Sequence, residues 1–168
     1  MVGPGRNNQY SSYRQQPQMQ GRGDAPRAAA QEAAPAQAKR LPAEFVDLAE
    51  ELIKKGGLPS RNAEGKYHFR ITRSKIRRIF SLFTDILNDE RLRSDKELLP
   101  ENERKLMMAR VRLAYEAGRD KEVETFIKNT ELLEYVKGVG KSREEFMRLA
   151  NFMESLVAWH RYYSDEKK

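Results

Sequence analysis

From Leu41 onward, apolar residues recur at helical spacing, and interruptions of that pattern divide the chain. Phe45, Leu48, Leu52 and Ile53 share one face and predict a first helix. Pro42 suits its first turn, where a missing N–H costs nothing, and Gly56-Gly57 suit its end. Leu58 to Ile71 is a polar connection containing Pro59 and Gly65. Within it Tyr67, Phe69 and Ile71 alternate with His68 and Arg70, which is a strand period. That run is too short to build a sheet without a partner, so an extended linker or a short strand is expected.

A second helix is predicted from Thr72 or Ser74, either of which can cap it, to about Asn88. Ile76, Ile79, Phe80, Phe83, Ile86 and Leu87 make it the most clearly amphipathic stretch of the chain. Pro100 opens a third helix, and Glu101 and Glu103 in its first turn suit the macrodipole. It carries Leu106, Val111, Leu113, Ala114 and Ala117, and Gly118 closes it. Asp120 can cap a fourth helix with Val123, Phe126 and Ile127. Leu132, Leu133 and Val136 either continue that helix or form a short one of their own. Gly138 and Gly140 break the pattern, and Ser142 with Glu145 makes a capping box for a long last helix. Phe146, Leu149, Ala150, Met153, Leu156, Val157 and His160 mark its inner face. Nothing reads as a βαβ unit, so the expected fold is an all-α bundle of about five helices over residues 41–168.

Residues 1–40 are of a different kind. They contain no Leu, Ile, Phe or Trp, but seven Gln, eight Ala, four Pro and four Gly. Such a segment cannot bury enough apolar surface to offset its ordering entropy, so a disordered tail is expected. Six basic residues against Asp24 and Glu32 give it a charge of +4. Arg22, in Gln-Gly-Arg-Gly, echoes Arg/Gly-rich RNA-binding tails, although a solvated linker has the same composition.

The 168 residues carry 32 Lys and Arg against 25 Asp and Glu, a net charge of +7, which fits an acidic polymer as partner. The absence of cysteine removes disulfides, thiolate zinc sites and thiol nucleophiles. No apolar run approaches the ~18 residues of a membrane span, and the N-terminus carries no apolar signal core. A cytoplasmic protein without membrane partners is therefore expected.

Catalytic constellations are missing. The acidic pairs Glu50-Glu51, Asp89-Glu90 and Glu144-Glu145 are adjacent, and helix neighbours point about 100° apart. Neither a P-loop nor a His-Glu-x-x-His or Gly-x-Ser-x-Gly motif occurs. Gly138 to Ser142 reads as a helix–helix turn with a cap, or as an anion contact through the last helix's N-terminus. His160 is expected as a hydrogen-bonded core or interface histidine, since no second ligand stands at metal spacing. His68 has no supporting context. No enzyme activity, metal or cofactor is expected.

The cations are more informative. Arg73, Lys75, Arg77 and Arg78 crowd the start of the second helix. Cations there oppose the macrodipole by ~0.3–1 kcal/mol each, which a bound polyanion would compensate. The alternative is a solvated face. Lys105, Arg112 and Arg119 stand seven apart on the third helix and form a basic stripe interrupted by Glu116. Arg110 falls inside that helix's apolar arc and should pair with a carboxylate or lie at an interface. Few aromatics accompany these faces, which favours phosphate contact over base reading. Phe152, Trp159 and Tyr163 form a separate aromatic ridge on the last helix. It should pack against the first helix or join a neighbouring copy.

Three segments carry a resemblance. Ile71-Thr72-Arg73-Ser74-Lys75-Ile76-Arg77-Arg78-Ile79 resembles the opening of the second helix in the small subunit of type III-A CRISPR (Csm) effector complexes. Arg112-Leu113-Ala114-Tyr115-Glu116-Ala117-Gly118-Arg119 is similar to that family's Ala-Tyr-x-Ala-Gly-Arg segment. Phe152-Met153-Glu154-Ser155-Leu156-Val157-Ala158-Trp159-His160-Arg161-Tyr162-Tyr163 is similar to its ending, with Trp159 in place of the usual Tyr. The matches stand in the right order from about Leu41 to Tyr163; the tail has no counterpart.

The resemblance implies a helical subunit without an active site. Several copies would stack beside the backbone and large subunits, along guide RNA paired to target RNA. It implies Lys75, Arg77, Arg78 and Arg119 as phosphate contacts, and the stripe adds Arg112. Two other classes share the composition. A DNA-binding regulator of helix-turn-helix type would have a short turn before its basic helix, where this chain has a long linker. A protein-only adaptor would show no salt-dependent RNA affinity.

Overall fold

The computed structural model describes residues 37–55, 59–61, 67–69 and 71–164. Residues 1–36 of the expected tail, with Arg22, and the Gly56-Gly57 stop lie outside the described residues, as does the side chain of His68. Among the described residues, six helices and one pair of short strands follow in the order α1 (Phe45–Lys55), β1 (Pro59–Arg61), β2 (Tyr67–Phe69), α2 (Arg73–Arg91), α3 (Pro100–Arg119), α4 (Lys121–Asn129), α5 (Leu132–Val139) and α6 (Arg143–Tyr163). The all-α expectation holds, with one helix more than expected.

Local signals set most boundaries. The Thr72 side chain accepts from the Lys75 N–H and caps α2. Pro100 sits in the first turn of α3. Asp120 accepts from the N–H groups of Glu122 and Val123, and Ser142 from that of Glu145. Each such cap contributes about 1 kcal/mol. Pro42 lies outside its helix, which begins three residues later at Phe45. The short helix α5 stands apart because Glu131, at φ 50°, turns the chain after α4. Gly140, at φ 55° and ψ −121°, ends it in a conformation that side chains disfavour. The helix–helix turn is thus Gly140 to Ser142, and Gly138, expected to break the pattern, lies inside α5. The alternating run at Tyr67–Phe69 finds its partner in β1, with Pro59 opposite Phe69 and Arg61 opposite Tyr67.

The long helix α6 lies at the centre, packed on α1, α2 and α5, while α3 packs on α2, α4 and α5. Phe83, Phe126, Phe146 and Phe152 are fully buried where these helices meet. Each contributes roughly 1.5–3 kcal/mol through burial. The aromatic ridge of α6 packs on α5 and α1. Phe152 packs edge-on against Tyr135 of α5, with ring centres 5.7 Å apart. Tyr163 donates its hydroxyl to Glu50 of α1, and the Lys54 ammonium lies 5.0 Å over its ring. Trp159 stacks on Tyr163 at 5.8 Å. The first helix therefore takes the end of the ridge. His160 is buried, with Nε2 2.9 Å from the Ile71 carbonyl oxygen, so that nitrogen donates and joins the end of α6 to the start of α2.

Charge is also buried. Glu90, near the end of α2, has no exposed surface. One carboxylate oxygen accepts from the Leu99 N–H at 2.9 Å and from Asn102 Nδ2 at 2.7 Å. The other accepts from Arg93 at 2.7 Å. The Arg143 guanidinium donates twice to the Glu90 carbonyl, at 3.0 and 2.7 Å. Burial alone would raise the Glu90 carboxyl; the bonds from Asn102, the Leu99 N–H and Arg93 outweigh it and hold the group below its ordinary value. The same loop is zipped to the turn before α6. Leu98 N–H donates to the Lys141 carbonyl and Arg143 N–H to the Lys96 carbonyl, around an antiparallel bridge between Glu97 and Ser142.

The described N-terminal residues run along α5. The Lys39 N–H donates to the Glu134 carbonyl at 3.0 Å, and its ammonium pairs with Glu131. Gly138 permits this approach, because a Cβ there would stand 1.7 Å from the Lys39 carbonyl oxygen.

Candidate nucleic-acid interface

The five expected contact residues do not form one patch. Lys75, in the first turn of α2, lies 2.7 Å from carboxylates of both Asp120 and Glu122 at the start of α4. Those carboxylates, Asp120 first, hold its ammonium above the ordinary lysine value. Its charge thus ties two helix N-termini together. That explains part of the cation surplus at α2 without a ligand.

Arg78 and Arg119 meet through Glu116. The Arg78 guanidinium lies 2.8 Å from that carboxylate and the Arg119 guanidinium 3.6 Å. Two cations share one anion, so one positive charge is unmatched. Both arginines are more than half exposed, and Arg119 also lies 5.5 Å over the Tyr115 ring. The break in the basic stripe, Glu116, is therefore its junction with α2.

Arg112 lies in a groove between α2 and α3, beside Arg104 and Lys105. Lys105 is paired with Asp89 at 3.0 Å and Glu101 at 3.1 Å. Arg112 and Arg104 are exposed and make no ion pair among the described residues. Arg77 is likewise exposed and without an ion pair there, but it faces a different groove, between α2 and α6. Arg110 is half-buried at a cavity between α3 and α5. No carboxylate partner of Arg110 is present among the described residues, and Glu103, which lines the same cavity, lies 3.8 Å from Lys141.

Two candidate residues were missed in the sequence. Arg104 stands one position before the Lys105 stripe. Arg161 stands seven residues after Glu154, a same-face spacing on α6, and both line the α2–α6 groove. That heptad spacing was the available signal.

No helix among the described residues is long and apolar enough to cross a membrane. No group of three or more His, Cys, Asp or Glu among them could hold a metal ion.

The family model for Csm2 Type III-A matches residues 38–166. A Mycobacterium tuberculosis (strain CDC 1551 / Oshkosh) protein described as CRISPR system Cms protein Csm2 is 31% identical over 112 residues, 67% of this chain and 87% of the relative. A Streptococcus thermophilus protein of the same description is 32% identical over 119 residues, 71% of this chain and 90% of the relative. The match runs from the segment lying on α5 to the end of α6 and includes all three resembling motifs. The chain belongs to the Csm2 family, the small subunit of type III-A CRISPR complexes.

Proposed function

We propose that this small subunit is a non-catalytic RNA-binding protein, stacked in several copies along the guide–target RNA duplex of a Csm complex. Its cations hold the sugar–phosphate backbone and support capture of target RNA in antiviral defence. Its partners are guide RNA, target RNA, the backbone and large subunits, and further copies of itself. The observation that supports this reading most directly is a set of exposed arginines whose charge is wholly or partly unmatched by carboxylates. Arg77 and Arg112 make no ion pair among the described residues, and Arg119 shares Glu116. These three are the principal phosphate contacts. Arg78 contributes the other half of the shared pair, and Lys75 fixes the opening of α2 beside them. Residues 41–168 form the working helical domain, and residues 1–40 a basic extension.

The reading makes affinity electrostatic and tolerant of sequence. A single-stranded RNA touching three such cations should follow a log–log salt slope of ~0.7 per contact. Binding by the isolated chain should then weaken roughly twentyfold between about 50 and 200 mM salt. Fluorescence anisotropy with a labelled oligonucleotide checks this. Affinity unchanged across that range would overturn the reading in favour of a protein-only adaptor. A footprint confined to duplex DNA at physiological salt would point to a DNA-binding regulator.

Arg77→Ala combined with Arg119→Ala should leave the fold intact, each change altering stability by no more than about 0.5 kcal/mol. The salt slope should fall by about 0.7 per residue removed, and the assembled complex should retain less target RNA. A melting temperature many degrees lower in the isolated double variant would show these arginines to be structural.

A further inference from the structure

The groove between α2 and α6 differs from the other basic surfaces. It has a volume of about 510 Å³, within the ~300–1,000 Å³ of small-molecule sites. Half-buried Phe80 of α2 and Val157 of α6 make its apolar floor, and Arg77, Arg161 and Glu154 stand around it. None of these three charged side chains makes an ion pair among the described residues, although all line one groove. Tyr162 also lines it, and the residue is 74% exposed.

The Tyr162 ring is nevertheless fixed. It stands perpendicular to Tyr163, with ring centres 4.9 Å apart, and perpendicular to Trp159 at 5.9 Å. Those two rings stack on each other and are held to α1 through Glu50. Perpendicular packing restrains an aromatic ring while leaving much of its surface open. An oriented, exposed ring beside two uncompensated guanidiniums suits a ligand that is flat and aromatic at one end and anionic at the other.

We infer that this groove receives one unpaired nucleobase of single-stranded RNA, stacked on Tyr162, with the adjoining phosphates held by Arg77 and Arg161. The inference rests on the RNA-binding reading above and adds a base-stacking site to it. Glu154 favours a base over an acidic peptide. A carboxylate in the wall repels acidic side chains but can accept a hydrogen bond from a base N–H. Duplex RNA cannot use the groove, because its bases are stacked and paired.

The test uses the full chain and a single-stranded RNA 12-mer carrying 5-iodouridine. Ultraviolet crosslinking followed by peptide mapping should place the adduct on Tyr162. In parallel, Tyr162→Ala should weaken binding of the single strand about tenfold. It should leave affinity for A-form duplex of equal length unchanged, and Tyr162→Phe should retain the parental affinity for both. The melt of Tyr162→Phe should match the parent, and Tyr162→Ala should remain cooperatively folded with a modestly lower melting temperature from its two lost aromatic contacts. If the parent binds RNA with the expected salt dependence, but adducts map elsewhere or Tyr162→Ala binds the single strand as the parent does, the stacking site is overturned and the phosphate reading stands. If Tyr162→Ala impairs only association with protein subunits, the groove is a protein interface and the inference fails. If the parent binds neither RNA form at any salt, the underlying reading fails as well.

Discussion

Glu90→Ala should destabilise the subunit by about 3–5 kcal/mol, the range for deleting one partner of a buried charged pair. The truncation removes the acceptor for Arg93, Asn102 and the Leu99 N–H at once. Asn102 is fully buried, and so close to α2 it has little access to replacement water. Arg143 would keep its bonds to the Glu90 carbonyl, so the junction would loosen rather than dissolve. A fall in melting temperature on the order of 10–20 °C is expected, read by thermal circular dichroism. Glu90→Gln should lie between the variant and the parent, since the amide oxygen still accepts but the charge is gone. The folded carboxyl is held low. Its stabilisation is therefore present above the unfolded value near ~4.3 and is lost as pH falls below it, toward the folded value. Stability lost on acidification should consequently be smaller in Glu90→Gln than in the parent. A Glu90→Ala variant within 1 kcal/mol of the parent would show that the polar neighbours find other partners.

Gly138→Ala carries the second largest expected effect, and two opposing terms decide its sign. Alanine is favoured over glycine inside a helix by about 1 kcal/mol. Against that, the new methyl group would stand 1.7 Å from the Lys39 carbonyl oxygen, a separation that no side-chain adjustment relieves. The backbone around residue 39 must move, and the Lys39 N–H bond to Glu134 and the packing of buried Leu41 move with it. A net loss of about 1–3 kcal/mol is expected, the usual range for overpacking. Limited proteolysis near residue 40 should become faster. A more stable variant would show that the segment leaves α5 at little cost.

Much of the fold was legible because it is local. Thr72, Asp120 and Ser142 announce helix starts through hydrogen bonds that span two or three residues, and Pro100 does so through its fixed backbone angle and missing N–H. The apolar series from Ile76 to Leu87 shows its buried side through periodicity alone. What was not legible depends on distant partners or on backbone conformation. Glu131 takes a left-handed conformation without being glycine, so nothing in its residue type separates α4 from α5. Glu90 reads as one of two adjacent surface acids. Its burial is imposed by Arg93, Asn102 and an Arg143 that stands 53 residues downstream. The basic candidates divide on the same principle. Arg77 stands at the start of α2 and Arg112 on the heptad stripe of α3, and both side chains are exposed. The carboxylates that hold Lys75 arrive from the start of α4, including Glu122, 47 residues away, and no wheel of α2 contains them. Arg161 and Tyr162 lie beside both the inner face and the Phe152–Trp159–Tyr163 ridge of α6, so neither periodicity singles them out.

The zipper between the α2–α3 loop and the turn before α6 has a consequence for how the molecule opens. The bridge between Glu97 and Ser142, with its flanking amide bonds, joins two helical hairpins through backbone rather than side chains. Neither hairpin can swing away without breaking those bonds and exposing the buried Glu90 carboxylate in the same event. The α2–α3 and α5–α6 pairs therefore belong to one cooperative unit, and partial unfolding is confined to the periphery. A subunit built this way presents its basic grooves on a frame that yields only as a whole.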